Sequence, residues 1–157
     1  MTTEGGCACG EVRYRLTELP LFVHCCHCTW CQRETGSAFV LNGLIEARFV
    51  ETTKGKVQEI DTPSASGKGQ IICRCPDCHV ALWSIYSGLG PRFLFVRMGT
   101  LDTPGTFPPD IHIYTSTKQP WVVLPEGVPV CDEYYRRSEM WPEASIERRT
   151  AELARGD

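Results

Sequence analysis

The stretch Gly5 to Leu16, GGCACGEVRYRL, joins two kinds of signal in twelve residues. Cys7 and Cys9 form a C-x-C pair between glycines, and the run that follows alternates apolar Val12, Tyr14 and Leu16 with polar Glu11, Arg13 and Arg15. Period-two alternation is the mark of a strand with one buried face. The chain thus reads as a β-strand entered through a pair of thiols. Similar short runs rich in β-branched and aromatic residues recur downstream as SAFVLNGLI (37–45), VQEI (57–60), VALWSIY (80–86), RFLFVRMG (92–99) and IHIYTS (111–116). Turn-forming clusters separate them: DTPSASGKG (61–69), SGLGP (87–91) and DTPGTFPPD (102–110). No helical pattern alternates with these strands, so the spacing predicts antiparallel β architecture. CTWCQRETG (28–36) is expected to carry one or two helical turns stopped at Gly36, and Ser145 to Arg155 a short polar helix.

A chain of 157 residues with 42% hydrophobic and 22% charged residues is long enough for one domain with its own core. The net charge of -3 argues against a broad electrostatic footprint for nucleic acid or anionic membrane, which requires surplus Lys and Arg. No apolar run approaches the roughly 18 residues of a membrane span, and the N-terminal residues lack the apolar core of an export signal. A cytoplasmic protein is expected. Ten cysteines there call for metal or thiol chemistry rather than disulfides, because the cytosol keeps thiols reduced. Self-association into a homo-oligomer is left open.

The cysteines sort into groups. Cys7 and Cys9 pair naturally with Cys75 and Cys78 of CRCPDCH (73–79), a C-x-x-C. Two such pairs on tight turns can direct four soft thiolates at one tetrahedral zinc, leaving no open position, and the binding free energy of such a site becomes folding free energy. A structural zinc is the expectation. The stretch HCCHCTWCQ (24–32) supplies the remaining group, Cys26, Cys28 and Cys31, with no second pair to complement it. Three thiolates on zinc leave a fourth position for water or substrate, as in catalytic sites. The alternatives are closure by His24, His27 or Cys25 into a purely structural site, or thiols without metal. Neighbouring side chains in extended backbone point to opposite faces, so Cys25 is placed in the core rather than on the ion of Cys26. Cys73 is a spare thiol near Cys75, and Cys131 carries no motif.

With these residues in place the chain resembles the family of glutathione-dependent formaldehyde-activating enzymes, whose domain also occurs in centromere protein V. GGCACGEVRY, CCHCTWCQRETGSAF, CPDC, MGTLD and HIYTSTKQPWV carry the likeness, in that order, from Gly5 to Val123. The resemblance implies a mainly β fold of curved antiparallel sheets, of sandwich or tent type, bearing zinc and few short helices. It implies two zinc ions per chain: a structural one on Cys7, Cys9, Cys75 and Cys78, and a catalytic one on Cys26, Cys28 and Cys31. After Trp121 the chain becomes proline-rich and, from Cys131, charged and poor in aliphatics, so the zinc-binding domain is expected over residues 1–125 and a C-terminal extension, packed on it or partly flexible, over 126–157. His79 departs from the family, which usually has glycine there; a glycine supplies the positive φ of such a turn.

The activity implied is carbon-sulfur lyase chemistry, in which a small thiol such as glutathione and an aldehyde such as formaldehyde form or release an S-hydroxymethyl adduct. A thiolate and a carbonyl held side by side need a donor for the developing alkoxide. His112, in the shared strand-like segment, is the candidate for orienting substrate or relaying a proton. His27 is expected to face solvent and His24 to lie at the surface or behind a ligand. Arg33 and Lys118 are candidate clamps for a peptide carboxylate, and Trp30, Trp83 and Trp121 for pocket walls. The competing class is a non-catalytic zinc domain binding protein or nucleic acid. A methionine sulfoxide reductase would need a reactive cysteine on a late strand, where Cys131 is poorly placed.

Overall fold

A computed structural model describes residues 2–155; Met1, Gly156 and Asp157, the outer ends of the two expected segments, lie outside the described residues. Ten strands are present among them: β1 (Thr3–Gly6), β2 (Arg13–Leu16), β3 (Phe22–Cys26), β4 (Val40–Glu46), β5 (Val50–Lys54), β6 (Gln58–Thr62), β7 (Gln70–Arg74), β8 (Ala81–Tyr86), β9 (Phe93–Arg97) and β10 (Ile111–Ile113). Helices are short: α1 (Thr29–Thr35), α2 (Arg137–Met140) and α3 (Glu143–Ala154). The expected helix in 28–36 is α1, ended by Gly36 in a left-handed conformation. The protein is mainly β, as expected.

Two sheets form, β1-β2-β5 and β10-β3-β4-β9-β8-β7-β6. All pairings are antiparallel except one, because β10 lies parallel to β3. The long connection from β9 across residues 102–110 permits this, since parallel neighbours cannot be joined by a tight hairpin. The alternation read in the opening stretch holds: Val12, Tyr14 and Leu16 are buried, while Arg13 and Arg15 pair outward with Asp102 and Glu51.

The core lies on both faces of the large sheet. Tyr14, Leu16, Ile45, Leu82, Trp83 and Val96 fill one side, with the Tyr14 ring edge-on to Trp83 at 5.6 Å. Phe22, Cys26, Leu44, Phe93, Ile111, Ile113 and Trp141 fill the other. Strand β3 is covered on both faces, so all five of its residues are buried and no polar alternation marks it.

Residues 129–133 lie along β10. The His112 N–H donates to the Pro129 carbonyl and the Cys131 N–H to the His112 carbonyl, each at 2.9 Å. Trp141 then stacks on Phe22 with centroids 5.5 Å apart. From α3, Arg148 pairs at 2.6 Å with Glu46, whose carboxylate is fully buried, and Glu152 accepts from Arg48 at 2.7 Å.

Candidate metal centres

Three groups of thiols and imidazoles have ligand atoms within 4.8 Å of one another. The first unites Cys7 and Cys9, on the turn after β1, with Cys75 and Cys78 on the β7–β8 turn. The Cys9 sulfur lies 3.5 Å from that of Cys7 and 3.7 Å from that of Cys75. Backbone geometry directs them inward: the Val12 N–H donates to Cys7 Sγ at 3.2 Å, and the Cys75 N–H to the Val80 carbonyl at 3.0 Å. The Val80 and Cys9 N–H groups hold the Cys78 thiol down to about 6. The Glu11 N–H favours the Cys9 thiolate, yet the neighbouring sulfurs, Cys7 foremost, push it up to about 12. Four crowded thiols cannot all ionise beside one another unless a cation compensates them. Zinc fits this donor set, with soft sulfurs at the corners of a small tetrahedron and N–H groups behind them. His79 keeps the turn left-handed at φ +60°, where glycine was the expectation.

The second group is Cys26 at the end of β3, Cys28 at the N-cap of α1 and Cys31 within α1. Cys28 Sγ accepts from the Cys31 N–H at 3.4 Å. Contacts from the Cys26 and Cys31 thiols, then the Cys31 and Trp30 N–H groups, lower Cys28 to about 2. Cys26 is pushed up to about 12, by Cys28 foremost, and Cys31 upward by Cys26 and Cys28. One thiolate anchors two thiols, and a cation bound here would free them to ionise as well. The donor set fits zinc with three protein ligands. The turn is pinned through the His27 carbonyl, which accepts from Gln32 Nε2 at 2.7 Å and Thr117 Oγ1 at 3.1 Å.

His112 is not in this group. Register pairs His112 with Cys25 and Ile113 with Cys26 across β10 and β3, so His112 shares the face of Cys25, opposite the Cys26 sulfur. There it forms the third group, with Cys25 and His27. His27 is buried, contrary to the expectation that it faces solvent, because its ring packs against His112 and Phe39; His24, on β3, is buried as well. Burial lowers each of these two imidazoles to about 4. His24 Nε2 meets the Tyr135 hydroxyl at 2.6 Å.

The family model described as glutathione-dependent formaldehyde-activating enzyme matches residues 2–117. The chain belongs to that family. A curated Halomonas elongata protein named for the same family is 28% identical over 132 residues, spanning 79% of this chain and 82% of that one. A crystal structure of a Rhodobacter sphaeroides protein is similar at 17% identity and a TM-score of 0.49, over 67% of this chain and 91% of that one.

The family match ends before several residues that surround the second group. Beyond it lie Tyr134, Tyr135 and Cys131, and Cys131 packs in the same apolar cluster as Cys26, Cys28 and Cys31. Tyr86 and Tyr114 within the match and Tyr134 beyond it have phenols raised by burial, and ionisation of Cys26 would raise each further. The sequence reading missed these tyrosines: Tyr86 and Tyr134 carry no motif, and Tyr114, though inside HIYTSTKQPWV, gives no sign of its positive φ, +54°. It also missed Glu34, which pairs with both Arg74 and Arg97 beside α1. Those three residues line an open groove of about 440 Å³ with Phe39 and His79.

Other expected residues fall elsewhere. Arg33 is exposed, and the Lys118 ammonium is tied to the carbonyls of Gln119 and Val122. Trp83 and Cys73 are core, whereas Trp121 is 72% exposed and Trp30 41%. Among the described residues no helix is long and apolar enough to cross a membrane.

Proposed function

We propose that the protein is a zinc-dependent carbon-sulfur lyase-type enzyme that forms or cleaves a thiol-aldehyde adduct, with glutathione and formaldehyde as the substrates its family is named for. The observation that carries this is the three-sulfur group Cys26, Cys28 and Cys31, which has no fourth protein ligand among the described residues, beside a four-sulfur group that is complete. Cys7, Cys9, Cys75 and Cys78 hold one zinc that fixes the fold; Cys26, Cys28 and Cys31 hold the second. Zinc at an open site lowers the pKa of a bound thiol and supplies Lewis acidity toward a carbonyl.

The chain's own residues do the rest. In the forward direction the substrate sulfur forms a bond to the aldehyde carbon, the carbonyl π pair moves to oxygen, and the thiol proton ends on that oxygen; cleavage is the reverse. The phenols of Tyr86, Tyr114 and Tyr134, protonated at neutral pH, supply the O–H donors for the developing alkoxide. The groove bordered by Arg74 and Arg97 receives the remainder of a carboxylate-bearing thiol. His112 is a positioning residue. It holds the His27 ring at 2.9 Å, and His27 lies between Cys26 and Cys28, so the contact sets the aim of both sulfurs.

Metal analysis and NMR exchange test this reading together. Purified protein is expected to lose one zinc selectively in Cys28→Ser while keeping its fold, and to accelerate exchange between formaldehyde, glutathione and their adduct. His112→Gln is expected to lower kcat more than it raises KM. Zinc content unchanged by Cys28→Ser would sink the second site; absence of acceleration would remove glutathione and formaldehyde as the pair.

A further inference from the structure

We propose that Cys25, His27 and His112 form a third transition-metal site, distinct from both all-sulfur groups. Cys25 Sγ lies 3.5 Å from His27 Nε2, which lies 2.9 Å from His112 Nδ1. An ion bound at about 2.0 to 2.1 Å from nitrogen and about 2.3 Å from sulfur in tetrahedral geometry requires edges of about 3.3 Å between nitrogens and about 3.5 Å from sulfur to nitrogen. The sulfur edge to His27 is already met, and the Cys25 and His112 ligand atoms lie within 4.8 Å of each other. The two rings need to part by a few tenths of an ångström.

Hydrogen bonding alone serves this group badly. His27 Nε2 faces both the Cys25 thiol and the His112 ring, and a single shared proton satisfies one of those contacts. His27 Nδ1 and His112 Nε2 have no partner, although His27 is fully buried and His112 only 5% exposed. A cation accepts a lone pair from all three facing atoms at once, which no arrangement of protons achieves. Each ring then carries its proton on the outward nitrogen, the neutral tautomer that metal binding requires.

The ligands are also held in advance. Cys25 and His112 are cross-strand partners on β3 and β10, and the His27 N–H is fixed to the Ile113 carbonyl at 3.0 Å. Residues 129–131 clamp His112 from the other side through its N–H and carbonyl. Two side chains on paired strands and a third fixed directly after β3 make a more exact site than three on loops. The Phe39 ring packs over His27 at 5.5 Å between centroids. One thiolate and two imidazoles select a borderline-soft ion such as zinc, cobalt(II) or copper(II), and the absence of oxygen donors disfavours magnesium or calcium.

Cobalt(II) loading of the full chain tests the site. Because the other two groups contain sulfur only and His112 belongs to neither, a metal-bound imidazole signal that disappears in His112→Gln belongs here. Wild-type protein is expected to bind three equivalents of cobalt and to show exchangeable imidazole N–H resonances shifted far outside the diamagnetic proton range. Cys25→Ser and His112→Gln are each expected to bind two equivalents, with the His112 resonance absent from the latter. Cobalt-loaded wild type without shifted imidazole N–H signals overturns the proposal, whatever the variants do. So does a third equivalent that persists in both variants.

Discussion

His79 sits at φ +60° on the turn that carries Cys75 and Cys78, a conformation that costs a residue with a Cβ about 1 to 2 kcal/mol relative to glycine. Its N–H donates to the Cys75 carbonyl at 3.1 Å and its own carbonyl accepts from Arg74 at 3.0 Å, so the turn cannot relax without disturbing the four-sulfur group. His79→Gly is expected to stabilise the zinc-loaded protein by about 1 kcal/mol once the greater freedom of glycine in the unfolded chain is deducted. The urea midpoint should rise with an unchanged slope; an unmoved midpoint would mean that the imidazole makes compensating contacts. Cys25 shows how far a single residue can be read. Alternation along an extended segment separated it from Cys26, which the structure repeats, but its partner His112 lies 87 positions away and only strand register brings them together.

Strand β3 and helix α3 mark the limits of pattern reading at the level of elements. Six of the ten strands announce themselves through alternation or β-branched runs, including β8 and β9 at the centre of the large sheet. Phe22–Cys26 does not, because both its faces are covered and its cysteines and histidine blur the distinction between apolar and polar. Thr3–Gly6 is hidden by its glycines, and Val50–Lys54 by lying almost wholly exposed. The cysteines of the two all-sulfur groups were legible because short spacing sorts them into Cys7 with Cys9, Cys75 with Cys78, and Cys26 with Cys28 and Cys31. The docking of α3 was not, since a polar helix reveals nothing about the buried carboxylate it meets. Arg148 donates to both oxygens of Glu46 and also to the Leu19 carbonyl. Arg148→Ala is expected to destabilise the protein by about 3 kcal/mol, because it strands a buried negative charge. Arg148→Ala combined with Glu46→Gln should recover a large part of that loss in the same denaturation assay.

For the molecule as a whole, alkaline pH probes the tyrosine-lined core. Burial pushes Tyr14 up to about 12, with the Thr100 hydroxyl, 2.7 Å away, acting in the opposite direction. Between about pH 10 and 12 the folded chain keeps a proton that the unfolded chain has lost, so the stabilisation is complete below pH 10 and disappears as pH rises through that window. The loss is on the order of 2 kcal/mol. Denaturation curves across this range should show the decline, and Tyr14→Phe should flatten it. The four-sulfur group has a different consequence, for the order in which the chain is made. Cys7 and Cys9 emerge from the ribosome 66 or more residues ahead of Cys75 and Cys78, a gap of roughly 3 to 14 s at common rates of synthesis. During that interval the first thiol pair faces oxidants and stray metals without its partners. The lifetime of the nascent protein therefore depends on how quickly translation delivers the β7–β8 turn, and slow codons between the two pairs would lower the yield of zinc-loaded protein without changing one residue of it.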